Sequence, residues 1–527
     1  MKMIKGLLFG SAAVLVASSG AQAADLPVKA KAIEYVKVCS LYGPGFYYIP
    51  GTDTCIKLGG YLRAELVLDS NSDHTGNTSG PGGANNRFTN GYTWRSREDL
   101  NIDTRTATEY GVVRTFFDAT FTWTSDTYAG NGTGTTVYSP VGASPFSSAP
   151  NNANAGGVAG GTLGVYYAFI QFAGFTMGKA VSQFSAPWTN YPGNNYDGLV
   201  GGGGTVTGVN QFTYTAEFGN GVSMALSAQD QTAYYQAGVA NLGALSPIGA
   251  ALGATGPFGA SDYAGTVAPD LVAMLRVDQA WGLFQASFAA HNNHAAYYGP
   301  TEVTGHPDDK WGWAGALALS IKNIPTGPGD TINVQGVYTD GATRYNIQDL
   351  ASGAGGATIY GGTGLAGAYQ SVGFGVAPDT VFVNGSQQET IKTWGMRGAY
   401  THNWSPYWNT AIYGAYAQVQ YSDTAKAWIC GIGGVGGSLR GALNPVGSGT
   451  AITSCNPDYN IAQVGLITRW TPVKNLTFSA DFVYTMLDQK SEGTVSAPSA
   501  TIGKPAAVYE LKDQNTYQLL LRAQRNW

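Results

Sequence analysis

The end of the chain sets a pattern that the rest repeats. From Tyr517 to Trp527, Tyr517, Leu519, Leu521, Ala523 and Trp527 fall on one face, and Gln518, Arg522, Gln524 and Asn526 on the other. Period-two alternation marks a β-strand whose two faces meet different surroundings. Taken alone, the run fits an edge strand of a soluble sandwich as well as a strand between lipid and water. Recurrence separates the two readings. Runs of similar character occur at 56–69, 92–105, 108–123, 162–172, 175–184, 209–218, 222–230, 269–281, 283–292, 311–322, 330–339, 391–403, 408–421, 459–470, 476–488 and 516–527, sixteen in all.

The connections alternate short and long. Tight turns are expected around Thr106, Ala173-Gly174, Gly219 to Gly221, Gly282, Asn323 to Gly329, Trp404 to Tyr407 and Thr471 to Asn475. Between them lie long segments at 70–91, 124–161, 185–208, 231–268, 293–310, 340–390, 422–458 and 489–515. A sandwich has no reason to sort its connections in this way. An antiparallel up-and-down transmembrane β-barrel does, with short periplasmic turns on one rim and long extracellular loops on the other. An even strand number places both ends on the short-turn rim and permits closure. The even-numbered residues of the last strand should then face water, with Trp527 at the periplasmic edge of the lipid.

Individual strands carry the same message. In the first, Ile56, Leu58, Leu62, Ala64, Leu66 and Leu68 oppose Lys57, Tyr61, Arg63 and Glu65. In the second, Arg95, Arg97, Asp99, Asn101, Asp103 and Arg105 oppose Tyr92, Trp94, Leu100 and Ile102. In the fifteenth, Leu476, Phe478, Ala480, Phe482, Tyr484 and Met486 oppose Thr477, Ser479, Asp481 and Thr485. An Arg or Lys on the lipid face costs about 2–4 kcal/mol near the midplane, so the charged ladder must face a hydrated lumen. A lumen wide enough to conduct requires about sixteen strands, because eight-stranded barrels are filled by their own side chains.

Composition agrees. Charged residues make up 12% of the chain, against about 25% in typical soluble domains. The mean hydropathy is nevertheless only −0.08, because tyrosine, glycine, asparagine and threonine supply neutral polarity. The 12 Trp and 32 Tyr supply rings suited to membrane interfaces. The weak acidity gives no ground for a nucleic-acid partner. Lys2 and Lys5, the apolar run Gly6 to Ala17 and Ala21-Gln22-Ala23 form a secretory leader, cut after Ala23. Its removal takes the formal net charge from −5 to −7. No later stretch approaches about 18 consecutive apolar residues, so no transmembrane helix is expected. The organisation predicted is a signal peptide at 1–23, a periplasmic N-terminal arm with a cysteine-closed loop at 24–55, and a barrel at 56–527. Residues 24–38 should be extended or weakly helical.

Export also bears on the four cysteines, which fall into two local groups, Cys39 with Cys55 and Cys430 with Cys455. Three pairings are possible, and the local one is favoured because each pair closes a short loop beside predicted strands. Zinc is the rival, but there is no Cys-x-x-Cys and no histidine in either segment.

The segment from Glu34 to Arg63, with Cys39-Ser-Leu-Tyr-Gly-Pro-Gly-Phe-Tyr-Tyr-Ile-Pro-Gly-Thr-Asp-Thr-Cys55 at its centre, resembles the start of the alphaproteobacterial general porins. Ala24-Asp-Leu-Pro27 and the closing Arg522-Ala-Gln-Arg-Asn-Trp527 are similar to that family too, and the resemblance spans the mature chain. It implies a homotrimeric, sixteen-stranded passive diffusion channel of the outer membrane, its third external loop folded into the pore. Its partners would be outer-membrane lipids and the small hydrophilic solutes and ions that cross. Most members end in phenylalanine; Trp527 departs from this but keeps the terminal aromatic that the barrel-assembly machinery recognises.

A diffusion channel needs neither catalytic residues nor cofactor. Its selectivity comes from width and from wall charges whose field the low-dielectric walls focus. The candidates are the basic residues Arg63, Arg95, Arg97, Arg105 and Arg114, interleaved with Glu65, Asp99, Asp103 and Asp118. The third loop offers only Asp197, beside Trp188, Tyr191 and Tyr196, so a constriction of largely neutral and aromatic groups with a transverse field is expected. The alternative is that these arginines pair with neighbouring acids and merely solvate the wall. A sugar-selective channel, guided by the loop aromatics, is the rival function. Three other motifs carry little weight. Gly431-Ile-Gly433-Gly-Val-Gly436 lacks the strand–turn–helix setting of a dinucleotide site. His291, His294, His306 and Asp308-Asp309 read as incidental surface polarity and not as a metal site. The glycine run 201–204 reads as slack that lets a loop bend.

Overall fold

The computed structural model describes residues 37–68, 92–124, 162–230, 237–242, 263–299, 301–348, 358–361, 371–431, 452–497 and 507–527. The leader expected at 1–23, the arm as far as residue 36 and most of the glycine-rich stretch after Gly431 lie outside them. Among the described residues, sixteen long strands form one closed antiparallel sheet. They are β1 (Cys55–Leu68), β2 (Tyr92–Thr108), β3 (Gly111–Thr124), β4 (Thr162–Phe172), β5 (Phe175–Ala180), β6 (Val209–Gly219), β7 (Val222–Gln229) and β8 (Asp270–Gln279). The circuit continues with β9 (Gly282–Asn293), β10 (Lys310–Lys322), β11 (Thr331–Asp340), β12 (Lys392–Ser405), β13 (Trp408–Gln420), β14 (Tyr459–Val473), β15 (Leu476–Gln489) and β16 (Gln514–Asn526). β1 pairs with β2 on one side and with β16 on the other, from Tyr61↔Asn526 to Leu68↔Leu519. Closure leaves no open sheet edge facing lipid, where an unpaired backbone group would cost several kcal/mol.

Every expected strand is present, with shifts at its ends. The first turn falls at Glu109–Tyr110 and not near Thr106, and the fourth at 280–281. Six of the seven short connections are two residues long. The Ala173-Gly174 turn has both φ values positive, 49° and 85°, the mirror-image turn whose twist suits a hairpin. The seventh connection, 323–330, wraps its chain round Asp330, whose carboxylate accepts from Thr326 Oγ1 at 2.7 Å, Asn403 N–H at 2.8 Å, His402 Nδ1 at 2.7 Å and Tyr400 OH at 3.1 Å.

The outer face presents Leu58, Leu62, Trp94, Phe121, Leu226, Leu317 and Ile412, all exposed. Trp527 closes the seam: its N–H donates to Gly60 O at 3.1 Å, and its ring stands exposed on the short-turn rim. On the inner face the even positions of β16 divide. Arg522 meets polar partners, but Gln518 is buried with no side-chain hydrogen bond among the described residues and Leu520 is 1% exposed within an apolar cluster, which corrects the expectation that every even residue meets water.

That cluster exists because the long loops fold inward. Strand residues Val67, Ile461, Val483, Leu487 and Leu520 pack with Val372, Val376, Val381, Tyr421, Tyr509 and Leu511 from the loops. The loops are themselves structured. Val239–Asn241 runs parallel to Thr380–Phe382, and Ala507–Leu511 runs beside Ser371–Gly375 and Glu492–Ala497. Among the described residues one α-helix, α1 (Asp423–Cys430), is N-capped by Ser422, closed by Gly431 at φ 70°, and tied by the Cys430–Cys455 disulfide. The second disulfide, Cys39–Cys55, folds the end of the arm back on β1, where Tyr47 and Tyr48 pair with Ile56 and Cys55. Phe46 and Tyr42 then lie over the Arg105 guanidinium, at 4.9 and 5.7 Å.

Candidate pore constriction

β5 ends earlier than its alternation suggests, at Ala180, because the chain turns into the lumen there. Ser182 N–H donates to Thr205 Oγ1 at 2.6 Å and Ser182 Oγ to Gln229 Oε1 at 2.7 Å, holding the two ends of the inturned segment together. Residues 181–208 then run along the inside of β9 to β16. Gln285 Nε2 donates to Ser185 O at 3.0 Å, and Asn333 Nδ2 to Pro192 O at 2.7 Å. Asn195 N–H donates to Asp481 Oδ2 at 2.6 Å, and Val200 N–H to Gln463 Oε1 at 3.0 Å.

Three arginines clamp the same segment through its carbonyls. Arg397, 2% exposed, donates to Thr189 O at 2.5 Å and Leu199 O at 3.2 Å. Arg469 reaches Gly193 O at 2.6 Å, and Arg522 reaches Asn195 O at 3.1 Å. A loop buried in this way must find partners for its backbone, and inward polar side chains supply them. The glycine run has a different reason from the one its sequence suggested. A Cβ on Gly201 would stand 2.3 Å from the Met396 carbonyl carbon, and one on Gly204 would stand 2.0 Å from Asn190 Oδ1. Close approach to the wall at Gly201 and to the segment's own Asn190 at Gly204, and not slack, demands glycine.

The opposite wall, β1 to β4 with β16, carries the predicted charges in layers. Glu65, 1% exposed, accepts from Arg95 Nε and from Arg522 Nε at 2.5 Å, with Arg63 3.9 Å away. Arg63 also donates to Gln524 Oε1 at 2.9 Å and lies 4.4 Å above the Tyr61 ring. Beside it across the strand pair, Arg97 donates to Thr122 Oγ1 at 2.9 Å and stacks over Tyr166. One layer further along, Asn101 Nδ2 joins Asp99 and Asp118, at 2.5 and 3.0 Å. Nearest the periplasmic rim, Arg105 and Arg114 both hold Asp103 at 3.0 Å.

The inturned loop meets this wall where Arg522 donates to Asn195 O, and within the loop the Tyr191 hydroxyl donates to Asp197. Burial first, and then the Asp197 carboxylate, push the Tyr191 hydroxyl well above its usual range, while Arg63 and Arg522 pull the other way. Arg522, which also holds Glu65, thus joins the loop to the Arg63–Glu65–Arg95 group. Arg105, Arg114 and Asp103 sit lower, away from that level.

Arg522 and Asp481, placed by their alternation on the polar faces of their strands, were not among the candidate site residues, nor were Arg397 and Arg469. Each occupies an inward position of an alternating strand, a signal that was available, but nothing in the pattern says that a loop lies against it. Two other expectations change. Tyr196 is 1% exposed and packs in the apolar cluster, so it does not line an open path. His291 is wholly buried, not surface polarity: its Nδ1 lies 2.9 Å from Asp270 and its Nε2 3.5 Å from Asp379, joining β8, β9 and an inturned loop. His294 pairs with Asp309 at 2.6 Å near the surface. No group of three or more metal-ligating side chains occurs among the described residues.

A closed sixteen-stranded antiparallel barrel with an apolar exterior, a charged inner wall and a loop folded against it is an outer-membrane channel fold, multi-pass by strands. The Porin subfamily profile matches residues 25–520, and the chain belongs to that family, a family of channels. Porin Omp2a of Brucella melitensis biotype 1 is 36% identical over 229 residues, 43% of this chain and 56% of that protein. Porin Omp2b of Brucella abortus is 35% identical over 229 residues, 43% of this chain and 54% of that protein. The chain thus spans about half the length of the curated relatives it matches. In fold it is similar to the outer membrane channel DcaP of Acinetobacter baumannii, with a TM-score of 0.53 over 91% of this chain and 99% of that one, at 14% identity.

Proposed function

We propose that this protein is a general porin, a water-filled channel through which small hydrophilic solutes and ions cross the outer membrane down their gradients. The observation that carries the reading is the inturned segment 181–208, held against β9 to β16 so that the charged wall of β1 to β4 faces the remaining lumen. In this reading residues 1–23 are the removed leader, 24–55 the periplasmic arm and 56–527 the barrel. Assembly as a homotrimer follows from the family resemblance.

Selectivity is assigned to the wall facing Asp197. Arg63, Arg95, Arg97, Glu65, Asp99 and Asp118 set the field there; Asp103, Arg105 and Arg114 set it at the periplasmic entrance. Planar-bilayer recording tests the proposal. A trimeric general porin gives conductance steps in threes, linear in salt and unblocked by sugars. Saturable block by a sugar would move the reading to a substrate-selective channel. Arg95→Ala and Arg97→Ala should each shift the reversal potential in a salt gradient toward cation preference; unchanged potentials in both would remove these residues from the selectivity mechanism.

A further inference from the structure

The outer face of β2 carries a side chain that lipid does not suit. Glu98 lies between Arg97 and Asp99, which face the lumen, so it points outward. Its register partners are Leu62 on β1 and Phe121 on β3, 56% and 53% exposed on the lipid side. Leu62 stands two residues further into the membrane than Gly60, to whose carbonyl Trp527 is bound at the short-turn rim. Glu98 is therefore inside the apolar band. It makes no hydrogen bond or ion pair among the described residues.

A base occupies the same face. Lys179 on β5 is in register with Ala168 on β4 and Asn210 on β6, both exposed. Its Nζ donates to Val165 O at 2.6 Å, and no carboxylate pairs with it among the described residues. More than two residues from a strand end, the outer faces of β7 to β16 carry no lysine, arginine or acid. Three strand spacings and four residues separate Glu98 from Lys179, about 20 Å along the wall, so they do not meet within one barrel.

Their heights nevertheless agree. Followed from strand to strand, paired residues climb the wall, from Cys55 at the periplasmic end of β1 to Gln489 at the extracellular end of β15. Glu98 is in register with Phe121, and Lys179 with Phe117, four residues nearer the periplasm. At a strand tilt of about 40°, those four residues lower Lys179 by about 10 Å and three strand spacings raise it by about 9 Å. The two side chains leave the wall at nearly one level. A three-fold axis along the membrane normal preserves height and sets one side of a contact face against the other side of its neighbour's.

We propose that the outer face of β2 to β5 is the contact face between copies of this chain, and that Glu98 of one subunit pairs there with Lys179 of the next. The pairing withdraws both charges from lipid, where an unpaired charge is costly. The proposal rests on the homotrimer of the porin reading.

The test uses the full-length protein, extracted in mild detergent and heated on semi-native gels. Glu98→Gln should speed dissociation of the trimer by about thirtyfold or more, because it leaves the other charge of an interfacial pair alone. Lys179→Gln should do the same, and Glu98→Lys should weaken the trimer further. Glu98→Lys combined with Lys179→Glu reverses the pair and should restore the wild-type rate. The native cysteines are joined in two disulfides, so introduced thiols react alone. Glu98→Cys with Lys179→Cys should give covalent trimers with a short bis-maleimide, and neither single variant should. Heat-dependent mobility of the monomer band shows that each variant is a folded barrel. Wild-type dissociation in both glutamine variants would overturn the proposal. Cross-linking by Glu98→Cys alone would also overturn it, because Glu98 would then face its own copy. A wild type that conducts as a monomer would overturn it and leave the porin channel in place. Trimers that respond as expected but do not conduct would overturn the porin reading and leave the contact standing.

Discussion

Arg397 offers the sharpest test of how the lumen is shaped. It is buried on the inner face of β12, and its guanidinium donates to Gln335 Oε1 at 3.1 Å, Thr189 O at 2.5 Å and Leu199 O at 3.2 Å. Arg397→Met keeps an unbranched chain of similar reach and removes every donor. A hydrogen bond to a charged group contributes about 1.5–3 kcal/mol, so the gross loss is large. Part of it is offset, because a buried guanidinium no longer has to be desolvated; leaving the buried neutral acceptors unpaired costs about 1–3 kcal/mol. The high end of that range is about a hundredfold in the docking equilibrium of residues 181–208, since 1.4 kcal/mol is a factor of ten.

The loop should loosen and not leave, because Arg469, Asp481 and Gln463 still hold Gly193, Asn195 and Val200. The barrel should remain intact, since none of its ladders passes through the Arg397 side chain. Single-channel recording should then show excess open-channel noise and brief conductance excursions absent from the wild type. Hydrogen exchange of 181–208 should accelerate while that of β1 to β16 does not. Arg397→Lys, a point donor without the planar fork, should fall between the two. Wild-type noise together with wild-type exchange in Arg397→Met would refute the clamp.

Two further substitutions probe different parts of the same architecture. Gly201→Ala should reproduce the noise of Arg397→Met: φ is 84°, the new Cβ would overlap the Met396 carbonyl, and the Gly201 and Gly202 N–H bonds to Asn346 O at 3.1 and 3.2 Å would part. The two changes act on neighbouring contacts of one docked segment, so the double variant should be clearly less than additive, and strict additivity in noise or exchange would show that they act independently. At the periplasmic rim, burial works against the Asp330 charge, yet the hydrogen bonds from Thr326, Asn403 N–H, His402 and Tyr400 outweigh it and hold the carboxyl below its usual range. A carboxyl depressed in the folded state stabilises fully above the unfolded value of about 4 and loses that contribution as pH falls through the folded one. The gap in urea midpoint between wild type and Asp330→Asn should therefore be present at neutral pH and shrink in strong acid; a gap independent of pH would contradict this account.

The strands were legible because lipid enforces one face of each. Leu58, Trp94, Phe121 and Leu521 must be apolar whatever lies inside, so the alternation survives sixteen repetitions. The disulfides were legible because Cys39–Cys55 and Cys430–Cys455 close local loops, 16 and 25 residues apart. The inner contacts were not. Asn195 and Asp481 meet across 286 positions, and Arg397 and Thr189 across 208. Alternation fixes the side to which a residue points, but not what it meets there. His291 shows the same limit: its place at a strand end looked superficial until Asp379, from a loop far along the chain, closed over it.

An inward polar residue in a wide barrel therefore has two possible uses, and the structure separates them by wall. Sixteen strands enclose more space than their own side chains fill, so inturned loops occupy part of it. The backbone of those loops then needs donors and acceptors. Gln285, Asn333, Arg397, Gln463, Arg469 and Asp481, on β9 to β15, meet that need and face little water. Arg63, Arg97, Asp99, Asp103, Arg114 and Asp118, on β1 to β3, make no hydrogen bond to the inturned segment among the described residues and remain with the lumen, while Arg105 lies under the rings of Tyr42 and Phe46. Summing inward charges over the whole barrel thus misjudges the field in the pore, because Arg397 and Arg469 belong to the packing. Arg522 belongs to both walls at once: it holds Glu65 on one side and Asn195 O on the other, at the seam where the loop meets the charged face.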